Sequence, residues 1–442
     1  MKSVPALLYA THRQQVKRTL VHRKDVVTPV NSSLSHGASQ TSIARVQSGL
    51  DIAIAVSLGL VPSFHLLALQ LSMIFLLVSA LLRGRQIFSN LPKFGWPHFM
   101  LLQFVIYFLM NTWFYPELEG GWPQLRRIAF ESYAMALFGF AVIWLYLGRG
   151  HDVMVSLQRW IPVGLFISFC VMSYFVFGPQ GSRAQAFSTN ALVPPMWYLV
   201  LTLICFSNFN SMPHGQKFLC LLLLASAAIM CLYSGGRMIL IIWLLCTITL
   251  MVGFLRAQQG HGFLIRNIFL VFGALAAGLF ALYVIDAITG RTLAIRFTYT
   301  FEHLRENGLT SQSFYRLEIW AAALEVIKQG LPFGHGHVNE RVLIHELIAR
   351  DWMFAAHQTY FSYLIAGGWI ALVSGVLFQC AGYRLFRRDM LPAALGIVVV
   401  PALNGLTDSV FQSFFTVQLY MLLLLLILHA QSLNSPGRSP RA

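Results

Sequence analysis

Along most of the chain the polar residues are confined to short breaks between long apolar stretches. From residue 50 to residue 430, apolar runs of about 20 residues recur. At about 1.5 Å of rise per residue, a run of that length carries a helix across the ~30 Å hydrocarbon layer of a bilayer. The pattern predicts an all-α, polytopic membrane protein with about twelve transmembrane helices. They fall at 50–63, 66–82, 98–115, 128–147, 161–178, 193–209, 218–233, 238–255, 268–288, 357–379, 392–407 and 411–430. The first two are short and are divided near Pro62. The segment 289–356 breaks the rhythm and reads as one long, partly helical loop. Within it Phe314, Leu317, Ile319, Trp320, Ala323 and Val326 recur at helical spacing, and Leu331-Pro-Phe-Gly-His-Gly336 then ends the helix. Residues 342–354 offer a second helix.

Composition agrees with a chain in lipid. Of 442 residues 57% are hydrophobic and 11% charged, against roughly 25% charged in soluble domains. The mean hydropathy is +0.65. A formal charge of +15 would point to nucleic acid in a soluble protein, but no basic and aromatic RNA-binding motif accompanies it, and nucleic acid is not expected as a partner. The charge has a topological pattern instead. Twenty of the 31 Lys and Arg lie on one side when the predicted loops are assigned alternately, and seven of the other eleven belong to the 289–356 loop, where seven acidic residues balance them. Short loops rich in Lys and Arg stay cytoplasmic, whereas long loops cross regardless of charge. The expected order is a disordered basic cytoplasmic tail at 1–49, transmembrane helices one to nine at 50–288, a periplasmic loop at 289–356, helices ten to twelve at 357–430, and a cytoplasmic tail at 431–442. The six cysteines all lie within apolar runs and read as small buried apolar residues.

This topology gathers polar groups on the outer face. Arg183 lies in the 179–192 loop, Arg237 closes Tyr233-Ser-Gly-Gly-Arg237, Arg291 and Arg296 open the long loop, and Arg316 lies on its helix. Guanidinium forks match phosphate oxygens, so several arginines beside apolar helices point to an anionic ligand at membrane depth; the alternative for each is snorkelling to the interface. Arg237 follows two glycines at a helix break, where backbone N–H groups could also face an anion. Histidine is the natural general base near neutral pH, and the loop with its border holds His303, His335, His337, His345 and His357. His335-Gly-His337 has ligand-like spacing, but no Cys or acidic pair completes a metal site. No metal and no cofactor are therefore expected. Asp408 lies in the last outer turn.

Taken in order, these residues resemble a known family. Arg316-Leu-Glu-Ile-Trp320, Leu331-Pro-Phe-Gly-His-Gly336, His357-Gln358 and Gly367-Gly368 look like the shared domain of bacterial O-antigen ligases and O-antigen or exopolysaccharide polymerases. Tyr-Ser-Gly-Gly-Arg237 resembles that family's Ser-Gly-Arg helix start, and Thr407-Asp408-Ser409 its late outer turn. The ligase pattern continues from His357 and Gln358 to Gly368 and departs at Ala371. The resemblance covers roughly 220–430. It implies a bacterial inner-membrane protein and a metal-independent, inverting glycosyl transfer on the periplasmic face. The implied donor is a glycan on undecaprenyl diphosphate, and the acceptor a hydroxyl of lipid A-core or of another lipid-linked glycan. His357 would be the base. Arg237 with one or more of Arg183, Arg291 and Arg316 would hold the diphosphate, and His337 or Asp408 would be the acceptor-side or alternative base. The ligase form of the His357 pattern favours ligase over polymerase, and a protein-directed oligosaccharyltransferase is a third option. A transporter of lipid-linked glycan is the reading from a different class, although no internal repeat of the kind transporters carry is present.

Overall fold

The computed structural model describes residues 34–82, 84, 88, 91–118, 123–148, 153–177, 192–207, 209, 212–234, 236–257, 305, 315–348, 355–387, 390–412 and 414–434. The chain divides into two compact units, Met1–Gln47 and Ser48–Ala442. Of the first, only helical residues from Leu34 onward are described.

Every regular element among the described residues is helical, with no strand among them. The main helices are α1 (Leu34–Leu81), α2 (Trp96–Phe114), α3 (Pro123–Leu147), α4 (Met154–Phe177), α5 (Val193–Cys205), α6 (His214–Tyr233) and α7 (Arg237–Ala257). After them come α8 (Tyr315–Gly330), α9 (Glu340–Ile348) and α10 (Thr359–Cys380). Then α11 (Leu391–Ala394) passes through a π-helical turn (Leu395–Val399) into α12 (Val400–Asn404), and α13 (Phe414–Asn434) ends the fold. Among the described residues six helices are long and apolar enough to cross a membrane: Ala44–Leu81, Gln124–Leu147, Met154–Val176, His214–Tyr233, Thr359–Leu385 and Phe415–Leu433. Val193–Cys205, Met238–Gly253 and Leu391–Asn404 are shorter apolar helices. The helix expected at 268–288 lies outside the described residues.

Some boundaries differ from the pattern reading. Helix α1 begins at Leu34, inside the stretch expected to be a disordered tail. No proline occurs between Leu34 and Val61, and a helix once nucleated propagates at little cost per residue. The expected division between the first two helices appears as a break in α1 at His65, with φ 50° and ψ −116°. Cys170 and Cys380 are exposed rather than buried. They lie on bundle faces that also expose Phe166, Ile167, Val373 and Val376, surfaces that suit hydrocarbon as well as a protein interior does.

The bundle is apolar outside as well as inside, as expected of helices in lipid. Helix α13 is the central one: 72% of its apolar window is buried, against 33% for α3, which packs on it. Helix α1 meets α4 where Gly59 faces Gly164, and a Cβ on Gly59 would lie 2.8 Å from the Gly164 Cα. Such small-residue crossings let backbones approach in membranes. Ser63 Oγ donates to Ser168 O at 3.0 Å, and Ser168 Oγ to Gly59 O at 2.9 Å.

The long loop is clasped onto a broken helix. Helix α10 loses its helical dihedrals at Gly367 and at Gly368, where φ is 60°. Backbone groups freed inside a membrane protein need internal partners. Here the Leu331–Gly336 motif supplies them: His335 N donates to Ile365 O at 2.7 Å, Gly336 N to Ala366 O at 2.9 Å, and Trp369 N to Pro332 O at 3.1 Å. Asn111 Nδ2 on α2 adds a bond to Ala366 O at 3.1 Å. A Cβ on Gly368 would lie 1.8 Å from Pro332 O, and one on Gly334 2.5 Å from Gly367 N. The two glycine-containing motifs, some thirty residues apart in sequence, are thus the two halves of one joint that fixes α8 and α9 against α10.

Candidate active site

The start of α10 organises the candidate site. Gln358 is its N-cap, its side chain accepting from Phe361 N, as amide and hydroxyl caps do for orphan helix donors. Thr359, the first helical residue, ties α10 to the turn at 405–410. Its N–H donates to Gly405 O at 2.8 Å and its Oγ1 to Asp408 O at 2.8 Å, while Val410 N donates to that Oγ1 at 2.9 Å. From the other side Arg316 Nη1, on α8, donates to Thr407 O at 2.7 Å.

This lacing brings His357 and Asp408 together. His357 Nδ1 lies 3.9 Å from Asp408 Oδ1, with the His side chain 43% exposed and the Asp side chain 5%. The separation exceeds a hydrogen bond, so the pair is a near-contact of an accessible imidazole with a buried carboxylate. Asp408 Oδ1 accepts from Ser409 N at 2.9 Å. His357 does not begin the helix, as the sequence pattern implied, but stands just before the cap, in the left-handed region with φ 49°. For a non-glycine residue this costs about 1–2 kcal/mol, and such strain clusters at functional sites.

Glu340, at the start of α9, supports the same turn from below. It is buried, and its Oε1 accepts from Ala356 N at 2.8 Å and from Ser362 Oγ at 3.0 Å. Burial pushes its carboxyl above the usual range, while those two donors, Arg341 and His357 pull it back. Ser362 Oγ in turn lies 3.4 Å from Ser409 Oγ. The sequence pattern gives no role to Glu340, Thr359 or Ser362, and marks Ser409 only as part of Thr407-Asp408-Ser409. Their types are unremarkable in a polar loop or at a helix start, and only the network gives them a role. One signal was available for the clasp: Asn111 is a polar residue in the interior of an apolar helix, which is costly unless used. It is buried, and its Oδ1 accepts from His337 N at 2.8 Å.

The remaining candidates are distributed as follows. Arg237 heads α7, after a turn in which Gly236 N donates to Ser234 Oγ at 3.0 Å. That turn lies against the start of α5, since a Cβ on Gly236 would come 2.4 Å from Leu192 Cδ2. One turn further along α5, Met196 Sδ accepts from Asn404 Nδ2 at 3.4 Å, and Asp408 N donates to Asn404 O at 3.0 Å. The helix start bearing Arg237 and the turn bearing Asp408 are therefore neighbours through α5. Arg183, Arg291, Arg296 and His303 lie outside the described residues. Arg305 is exposed. His335 and His337 belong to the clasp: His335 Nε2 lies 2.9 Å from Val326 O, and His337 packs edge-on to Phe108 with its Nε2 3.3 Å from Tyr133 OH. Burial, with Arg341 as a lesser cause, lowers His337 to about 4, so its ring is neutral at ordinary pH. Among the described residues no three His, Cys, Asp or Glu side chains group as metal ligands would.

The arrangement offers an accessible imidazole near a buried carboxylate and, among the described residues, a cation, Arg316, bonded to the same turn. Residues 220–376 match a protein-family model described as O-Antigen ligase. No curated protein matches the chain.

Proposed function

We propose that this membrane protein, whose residues 220–376 match the O-antigen ligase family model, is a glycosyltransferase of that family. On this reading it moves a glycan from undecaprenyl diphosphate to an acceptor hydroxyl at the periplasmic face, without a metal and with inversion at the anomeric carbon. The observation that carries the reading is the convergence of His357, Asp408 and Arg316, from three distant parts of the chain, on the turn at the start of α10. His357 takes the proton from the acceptor hydroxyl as its oxygen attacks the anomeric carbon. The bond from that carbon to the diphosphate oxygen breaks, and undecaprenyl diphosphate leaves with the electron pair. Asp408 stabilises the imidazolium that forms. Arg237, with Arg183 or Arg291, neutralises the departing diphosphate, because preorganised cations are worth most where charge develops. Arg316 serves the site by fixing the Thr407–Ser409 turn as much as by its charge.

The ligase reading, with lipid A-core as acceptor, is favoured by the His357-Gln358 to Gly368 pattern; the polymerase reading differs only in acceptor. The surface glycans of a deletion strain separate them. Loss of glycan from lipid A, with polymer accumulating on the carrier, is expected for a ligase. Loss of long chains, with single repeats still attached to lipid A, makes the protein a polymerase. Loss of all glycan from lipid A, single repeats included, with carrier-linked glycan trapped on the cytoplasmic face, would replace transfer with transport.

A further inference from the structure

Beside the candidate active site lies a cavity of about 290 Å³ that the transfer chemistry does not use. Helix α3 lines it with Leu125, Ile128, Ala129, Ser132 and Tyr133. The segment leading into α9 and the start of that helix line it with His337, Val338, Glu340 and Arg341, so apolar and polar groups are interleaved. The cavity is continuous with the catalytic turn. Ala355, two residues before His357, lines it, and Glu340 both lines it and accepts the N–H of Ala356. His337 Nδ1 is buried and has no hydrogen-bond partner among the described residues.

The chemistry of the walls selects the ligand. A hydrocarbon chain would keep water from the charged groups of Glu340 and Arg341 and offer them nothing beyond their protein partners, such as the Ala356 and Ser362 donors of Glu340. An anion gains little, because Glu340 offsets Arg341 and the buried His337 ring is uncharged. A neutral sugar meets both kinds of group: its C–H face covers Leu125, Ile128 and Ala129, and its hydroxyls donate and accept among the polar side chains that line the cavity. The volume lies at the small end of ligand pockets, which run from roughly 300 Å³ upward, and suits a short saccharide rather than a polymer.

We infer that this cavity seats a sugar ring of the acceptor glycan and so delivers its neighbouring hydroxyl to His357. This rests on the transfer reading above. The test reconstitutes the full chain in liposomes with undecaprenyl-diphosphate-linked glycan as donor. Lipid A-core is the acceptor in one series, and a second copy of the lipid-linked glycan in another. Half-buried Ala129 is replaced by cysteine, and after reconstitution the thiol is alkylated with N-ethylmaleimide, so that the cavity is filled in a protein already folded. Maleimide-treated wild type controls for Cys170 and Cys380. We expect the acceptor KM to rise at least fivefold on alkylation, with kcat at saturating acceptor and the donor KM both held within twofold. An unchanged acceptor KM after complete labelling overturns the inference, and so does a rise confined to the donor KM, which would give the cavity to the donor glycan. If wild-type protein transfers to neither acceptor, the transfer reading itself falls and the cavity assignment with it.

Discussion

The left-handed backbone at His357 allows the catalytic role proposed for it to be separated from its structural one. At φ 49° a side chain bearing a Cβ is strained by about 1–2 kcal/mol, whereas glycine is not. Glycine carries its own cost, because its unfolded chain is freer, by about 0.5–1 kcal/mol relative to alanine. Taken at mid-range, the difference leaves His357→Gly more stable than His357→Ala by roughly 0.75 kcal/mol, the reverse of the order at an ordinary position. The lost pairing with Asp408 hardly alters this comparison, since both variants lack it and the imidazole is 43% exposed; exposed pairs are worth about 0.2–1 kcal/mol. Turnover should fall in both variants by about a hundred- to ten-thousand-fold, the usual contribution of a general base, while donor binding persists. Added imidazole should restore part of the turnover of His357→Gly, where the vacated space is larger. The assay is thermal unfolding in detergent at matched protein concentration, followed by transfer with saturating donor. An alanine variant as stable as the glycine variant would refute the strain argument. Wild-type turnover in either variant would remove His357 from the chemistry.

Three other outcomes are expected. Arg237→Ala should abolish transfer and Arg237→Lys restore it only partly, because lysine lacks the bidentate fork; full activity of the lysine variant, measured at equal membrane abundance, would reduce Arg237 to a simple charge. Gly368→Ala should lower stability by about 2–4 kcal/mol, combining left-handed strain with overpacking against Pro332 O, and protease accessibility of α8 and α9 should rise with it; unfolding unchanged from wild type would refute the clasp. Tags at Gly181 and Asn307 should label from the periplasm and tags at Gly215 and Gly260 from the cytoplasm, as the Lys and Arg distribution requires; an Asn307 label protected from outside would move the whole site to the other face.

Carboxylate placement illustrates what physical reasoning from the sequence could and could not reach. Asp408 stood out because a lone acid in a short turn between apolar helices is conspicuous. Glu340 did not, being one of seven acids in a balanced loop, yet it is buried and holds Ala356 and Ser362. His337 looked as suitable a base as His357 on spacing alone. Its burial between Phe108 and Tyr133, which makes the ring a weak proton acceptor, and the accessibility of the His357 side chain distinguish the two.

By itself the sequence determined that the chain is a bundle of apolar helices, where most of them lie, and that glycines and Pro332 interrupt them. These are consequences of local hydropathy and backbone freedom, and need no knowledge of neighbours. Only the tertiary structure decided which interruptions belong together and which polar groups share a site. The bond from Arg316 to Thr407 spans 91 residues, and that from Tyr107 to Gly367 spans 260. No periodicity encodes such pairings, because they arise when buried backbone groups, cut off from water, must find whatever donor or acceptor the packing of distant helices brings within reach.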